Sequence, residues 1–159
     1  MNIEILCVGK IKEPFLKDAI AEYEKRLSKY CRLKIVETAD EKAAENLSAA
    51  ECEIVKAKEG ERLLKLIRDK AYVIALRIDG TMLDSVAFAE KIGSLAVSGV
   101  SDIQFVIGGS LGLSGSVLER ADLGLSFSKM TFPHQLMRVI LLEQIYRGYR
   151  IINHEPYHK

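Results

Sequence analysis

Two stretches decide the fold: Tyr72-Val73-Ile74-Ala75-Leu76-Arg77-Ile78, and Ile103-Gln104-Phe105-Val106-Ile107, which runs directly into Gly108-Gly109-Ser110-Leu111-Gly112. Both are nearly unbroken apolar runs of strand length. Both faces of each strand must therefore be covered, as happens in a mostly parallel sheet. Similar runs at Ile3 to Val8, Leu33 to Val36 and Leu123 to Phe127 supply further strands, with helical patterns between them. After the first strand, Leu16, Ile20, Tyr23 and Leu27 share one helical face, and Pro14 suits a first turn. A second helix is expected from Ser48 to about Asp69, with Ile54, Leu63, Leu64 and Ile67 toward the core. A third starts at Asp84 or Ser85, buries Val86, Phe88, Ala89, Ile92 and Leu95, and stops at Gly99. The alternation predicts one α/β domain over residues 1–159, a mostly parallel sheet with helices on both faces.

The composition narrows the function classes. With 48% hydrophobic and 28% charged residues among 159, the chain can bury a core without disulfides or a structural metal. Cys7, Cys31 and Cys52 are odd in number, far apart and in no Cys/His cluster, so they read as reduced thiols of a cytoplasmic protein with no metal site. No segment approaches the ~20 apolar residues of a membrane span. Charge is uneven: Glu37 to Arg62 carries a net −4, Lys129 to Lys159 a net +3, so a polyanion would meet the C-terminal end.

The final helix, about Pro133 to Arg150, is apolar all round: Leu136, Met137, Val139, Ile140, Leu141, Leu142, Ile145, Tyr146 and Tyr149 spread over the whole circumference. The sheet can cover one side. A second subunit is the economical cover for the other, since each such side chain left wet forfeits ~1.5–3 kcal/mol. The expectation is a homodimer.

Two segments can carry chemistry. Ile107 to Gly112 places small residues after a strand and before a short helix capped by Ser114 or Ser116, so a ligand can approach backbone N–H groups. Leu125-Ser126-Phe127-Ser128-Lys129-Met130-Thr131-Phe132-Pro133-His134-Gln135 joins an apolar strand to the final helix, and its mixture of apolar walls and hydroxyls suits an adenosine. His134, His154 and His158 all lie in the last 26 residues, beside Arg138, Arg147, Arg150, Tyr157 and Lys159. That clustering points to acid/base or phosphate-binding work.

Together with the start Ile5-Leu6-Cys7-Val8-Gly9-Lys10, the segment Glu143-Gln144-x-Tyr146-Arg147 and the ending Tyr157-His158-Lys159, these stretches resemble the ribosomal RNA large subunit methyltransferase H family of the SPOUT class, end to end. The resemblance implies a C-terminal trefoil knot that forms an S-adenosylmethionine pocket, and methylation of the N3 position of a pseudouridine in large-subunit ribosomal RNA within assembled ribosomes. By position it assigns the cofactor to Leu76, Gly108 and Phe127, Ser128, Lys129, Met130, Thr131 and Phe132. It assigns the active-site tail to Tyr157, His158 and Lys159, and a basic position of the last helix to Arg147. Ser110 and Leu111 stand where the family usually includes a polar or acidic residue.

Methyl transfer from a sulfonium needs no metal, only in-line alignment of the acceptor nitrogen and loss of its proton. Tyr157 or His158 is expected to handle that proton, and Arg147 or Lys159 to stabilise charge or hold RNA phosphate. Two rival readings are a nucleotide-dependent oxidoreductase using the glycine loop and a non-catalytic ribosome-binding factor. The first is disfavoured because Gly9-Lys10-Ile11-Lys12 after the first strand is no dinucleotide fingerprint.

Overall fold

The structure, a computed structural model, describes all 159 residues. Strands and helices alternate in the order β1 (Asn2–Val8), α1 (Pro14–Leu27), β2 (Arg32–Thr38), α2 (Ala49–Leu64), β3 (Tyr72–Met82), α3 (Ser85–Val97), β4 (Asp102–Ile107), α4 (Gly115–Arg120), β5 (Leu123–Ser126) and α5 (His134–Ile152). The five strands form one sheet in the order β2-β1-β4-β3-β5, and every neighbouring pair is parallel. The expected α/β class is what is found.

Burial of both sheet faces follows from the alternation along the central strands. Ile3, Ile5, Cys7, Ile103, Phe105 and Ile107 point into the larger core, which α1, α3 and α5 cover with Leu27, Phe88, Ile92, Leu141, Leu142 and Ile145. Leu6, Val8, Val73 and Val106 point the other way, against Leu63 of α2 and Val117 of α4. The result is three layers.

Local signals account for most helix boundaries. Pro14 opens α1. Ser48 begins α2 with a reciprocal capping box to Glu51. Asp84 caps α3, Ser114 caps α4, and Gly99 follows α3 in the left-handed region at φ +88°.

Three expectations need correction. The second helix ends at Leu64, short of Asp69, because the fully buried Gln104 takes over the backbone of the next turn. Its amide donates to the Leu66 carbonyl at 3.0 Å and accepts from the Arg68 N–H at 2.9 Å, bending the chain toward β3. Ile54 and Val86 are 56% and 42% exposed, since α2 packs on the sheet only through its last turns, Glu59, Gly60 and Leu63, and α3 through Phe88, Ala89, Ile92 and Leu95. Leu141 and Ile145, read as part of an all-round apolar surface, are wholly buried in the chain's own core. Of the apolar side chains expected around that circumference, Leu136, Met137, Val139 and Ile140 are the ones left partly uncovered.

Two predictions follow from this packing. Leu141→Ala should cost about 2–5 kcal/mol, read as a lowered urea midpoint with unchanged slope; a cost under 1 kcal/mol would contradict the burial. Burial pushes the Cys7 and Cys31 thiols up to about 12 and about 11, so only Cys52 should react promptly with a thiol reagent at neutral pH, the other two following after unfolding.

Candidate active site

The carboxyl ends of β3, β4 and β5 open into one cleft of about 790 Å³, within the range of small-molecule sites. Its floor is the glycine loop. Gly112 adopts φ +88° and its N–H donates to the Gly109 carbonyl at 3.1 Å, closing a tight turn. A Cβ on Gly108 would lie 2.7 Å from the Gly112 carbonyl carbon, so the loop can fold this flat only with glycine there.

The opposite wall is the connection from β5 to α5. The Ser126 hydroxyl donates to the Ser128 carbonyl at 3.1 Å, and the Ser128 hydroxyl accepts from the Met130 N–H at 3.0 Å. These bonds hold Phe127 and Phe132 at the cleft. Pro133 starts α5 without a side-chain cap, leaving first-turn N–H groups for water or a ligand.

Of the residues expected to hold a cofactor, Leu76, Gly108, Phe127, Ser128, Met130, Thr131 and Phe132 all line this cleft. Lys129 does not; it is exposed beside it. The lining also includes Leu111 and His134, from the two segments read from sequence as facing a ligand, and Arg77, Ile78, Asp79 and Met137, which lie outside those segments. Arg77, Ile78 and Asp79 reach it through an irregularity: β3 pairs with β5 at Leu76↔Leu125 and again at Thr81↔Leu125, so the four residues from Arg77 to Gly80 bulge out of the sheet. The one local signal for it was Gly80.

An adenosine fits the donor set. Leu76, Ile107, Leu125, Phe127, Phe132 and Met137 supply apolar surface, while Ser110, Ser128, Thr131 and the loop backbone supply hydrogen-bonding groups. Burial and the nearby Arg138 hold His134 below its ordinary pKa, so at neutral pH it faces the cleft uncharged.

Arg138 itself has a structural task. Its buried guanidinium donates to Val8 O at 3.0 Å, Gly9 O at 2.7 Å and the Glu37 carboxylate at 2.7 Å. The carboxyl end of β1, where a dinucleotide fold places its pyrophosphate, is therefore taken by a side chain of this protein.

The tail is ordered and lies elsewhere. Arg147 forms a two-pronged ion pair with Glu143, which also accepts from the Tyr157 hydroxyl at 3.2 Å. The Arg147 guanidinium sits 4.7 Å from the centre of the Tyr157 ring and 3.3 Å from His158 Nδ1. Tyr157 packs edge-on against Tyr146, Arg150 donates to the Pro156 carbonyl at 3.0 Å, and Glu155 is held by Tyr30 and Arg150. Lys159 is exposed at the end of the chain. Tyr157, His158 and Arg147 are thus brought together, but none touches the cleft. From Met137 at the cleft to Arg147 is ten residues, or ~15 Å along the helix axis.

An all-parallel α/β sheet with a glycine-floored cleft at the carboxyl ends of its strands defines the class of α/β proteins that bind a small ligand there. Residues 1–158 match the family model described as "Predicted SPOUT methyltransferase". Proteins named ribosomal RNA large subunit methyltransferase H, from Clostridioides difficile, Alkaliphilus oremlandii and Clostridium kluyveri, are 63%, 64% and 58% identical to this chain, each over the full length of both. A solved structure of a probable methylase family protein from Haemophilus influenzae matches 99% of this chain and 70% of that one, with a TM-score of 0.57 and 15% identity, a likeness of fold. This chain belongs to the SPOUT methyltransferase family.

Because the folded state favours neutral His134, its contribution to stability is complete above the ordinary histidine value near 6.5 and is lost as pH falls below it, where the unfolded chain binds the proton more readily. His134→Asn should flatten that part of the stability profile between pH 7 and 5. Parallel profiles for the two proteins would contradict the assignment.

Proposed function

We propose that this protein transfers the methyl group of S-adenosylmethionine to N3 of a pseudouridine in large-subunit ribosomal RNA, acting on assembled ribosomes in the cytoplasm as a homodimer. The observation that carries the reading is the adenosine-sized, glycine-floored cleft in a chain of a methyltransferase family. The names of its full-length relatives supply the RNA substrate. In this reading the stretch from the glycine loop to α5 has the trefoil knot of its class. Leu76, Gly108, Phe127, Ser128, Met130, Thr131 and Phe132 hold the cofactor, and Lys129 contributes main-chain groups. No cluster of His, Cys, Asp or Glu could hold a metal ion, and the reaction asks for none.

Bound in the cleft, the cofactor supplies a methyl group on a sulfonium. The sulfur would leave as a neutral thioether once the methyl is on N3, so this chain's part would be to align the acceptor nitrogen and to accept the N3 proton. Tyr157 or His158 takes that proton, while Arg147 and Lys159 stabilise charge developing on the base or hold phosphate. Since the tail sits far along α5 from its own cleft, it serves the cleft of a second subunit. The partly uncovered Leu136, Met137, Val139 and Ile140, with exposed Met130 at the cleft rim, offer that subunit an apolar surface.

Calorimetry should find one S-adenosylmethionine per subunit, with affinity unchanged by a chelator. Binding neither it nor its demethylated product would sink the enzyme reading and favour a ribosome-binding factor.

Deleting Tyr157, His158 and Lys159 should leave cofactor affinity and dimeric light-scattering mass unchanged while methyl transfer to ribosomes falls by orders of magnitude. Mixing the truncated protein with a cleft variant such as Gly108→Val should recover part of the activity, because mixed dimers hold one intact composite site. No recovery, in dimers shown to exchange subunits, would place tail and cleft in the same chain.

A further inference from the structure

Arg77 and Asp79 are the only charged side chains lining the cleft, apart from His134, which is held neutral. They stand two residues apart on the β3 bulge and grip each other in a two-pronged ion pair, Nε to Oδ1 at 2.6 Å and Nη2 to Oδ2 at 2.7 Å. The fold goes to some length to place them there. A Cβ on Gly80 would lie 2.7 Å from the Gly124 backbone, and one on Gly124 would lie 2.8 Å from Arg77 Cδ. Two facing glycines thus let the bulge press onto β5 and let the Arg77 stem lie flat across it, aiming a cation and an anion at the rim of an otherwise uncharged cleft.

The pair contributes little to stability, since Asp79 is 72% exposed and exposed ion pairs are screened by water. Its chemistry instead matches a ligand that carries one carboxylate and one ammonium on the same carbon. Building on the proposed cofactor, we infer that Arg77 and Asp79 recognise the α-amino acid end of S-adenosylmethionine, Arg77 taking the carboxylate and Asp79 the ammonium, while the apolar walls take the adenosine. Exchanging a mutual ion pair for two pairs with a zwitterion conserves charge on both sides, so binding strands no unpaired ion. Arg77 is a fork-shaped donor suited to a carboxylate.

The test compares two ligands that differ only in that end. S-adenosylhomocysteine carries the amino acid, and methylthioadenosine keeps the adenosine and thioether but lacks it. Calorimetry on the full-length protein should show Arg77→Gln and Asp79→Asn each weakening S-adenosylhomocysteine about tenfold or more, the size of a lost charge-assisted hydrogen bond, with methylthioadenosine affinity unchanged. Unchanged methylthioadenosine binding also reports an intact cleft. Parallel weakening of both ligands would overturn the inference, placing the pair on the ribose or in the shaping of the pocket. Undiminished binding of both would overturn it too, and a raised KM for ribosomes in those same variants would assign the pair to RNA. If the unmodified protein binds neither ligand, the cofactor reading itself fails and this inference with it.

Discussion

The buried guanidinium of Arg138 is the constraint on which the arrangement of the functional parts depends. A charge with 1% exposure persists only with close partners, and Arg138 has three: the last carbonyl of β1, the carbonyl of Gly9 beyond it, and Glu37 near the end of β2. These bonds tie α5 to the carboxyl ends of two strands at a point one turn after its start. The helix is thereby placed so that His134 and Met137 reach the cleft, while Glu143 to Arg150 extend away from it over α1. The same contact fills the end of β1 and leaves the ligand site to β3, β4 and β5.

Within the cleft, backbone proximity does the shaping. Gly108 against Gly112, and Gly80 against Gly124, are approaches closer than any side chain permits. The first flattens the loop that floors the cleft. The second lifts Arg77 to Asp79 out of the sheet pairing and over the rim. A mostly apolar pocket with few polar groups binds a flat heterocycle by excluding water, and those few groups set its orientation.

The C-terminal tail is held by a different kind of interaction. Aromatic edges and guanidinium faces stack around Tyr146, Tyr157, Arg147 and Arg150, and one carboxylate, Glu143, receives both Arg147 and the Tyr157 hydroxyl. Three terminal residues would ordinarily fray. Here Tyr157 and His158 are held against α5 by Glu143 and Arg147, away from their own chain's cleft.

Much of this was legible in the residues. Continuous apolar runs of strand length identify the parallel sheet, capping residues such as Ser48 and Asp84 mark helix starts, and the glycine loop and the run from Leu125 to Gln135 identify the cleft, because all of these signals are local. The end of α2 at Leu64, the exposure of Ile54 and the burial of Leu141 and Ile145 were not legible, since each depends on which neighbour the fold brings near: Gln104 for the first, the reach of α2 over the sheet for the second, the covering helices for the third. Arg77 and Asp79 entered the cleft only through a register shift between two strands far apart in sequence. The sequence by itself determined the class of fold and the segments that carry chemistry. Only the tertiary structure decided that the cleft and the tail lie at opposite reaches of one helix, because that separation is set by where a buried arginine anchors the helix to the sheet.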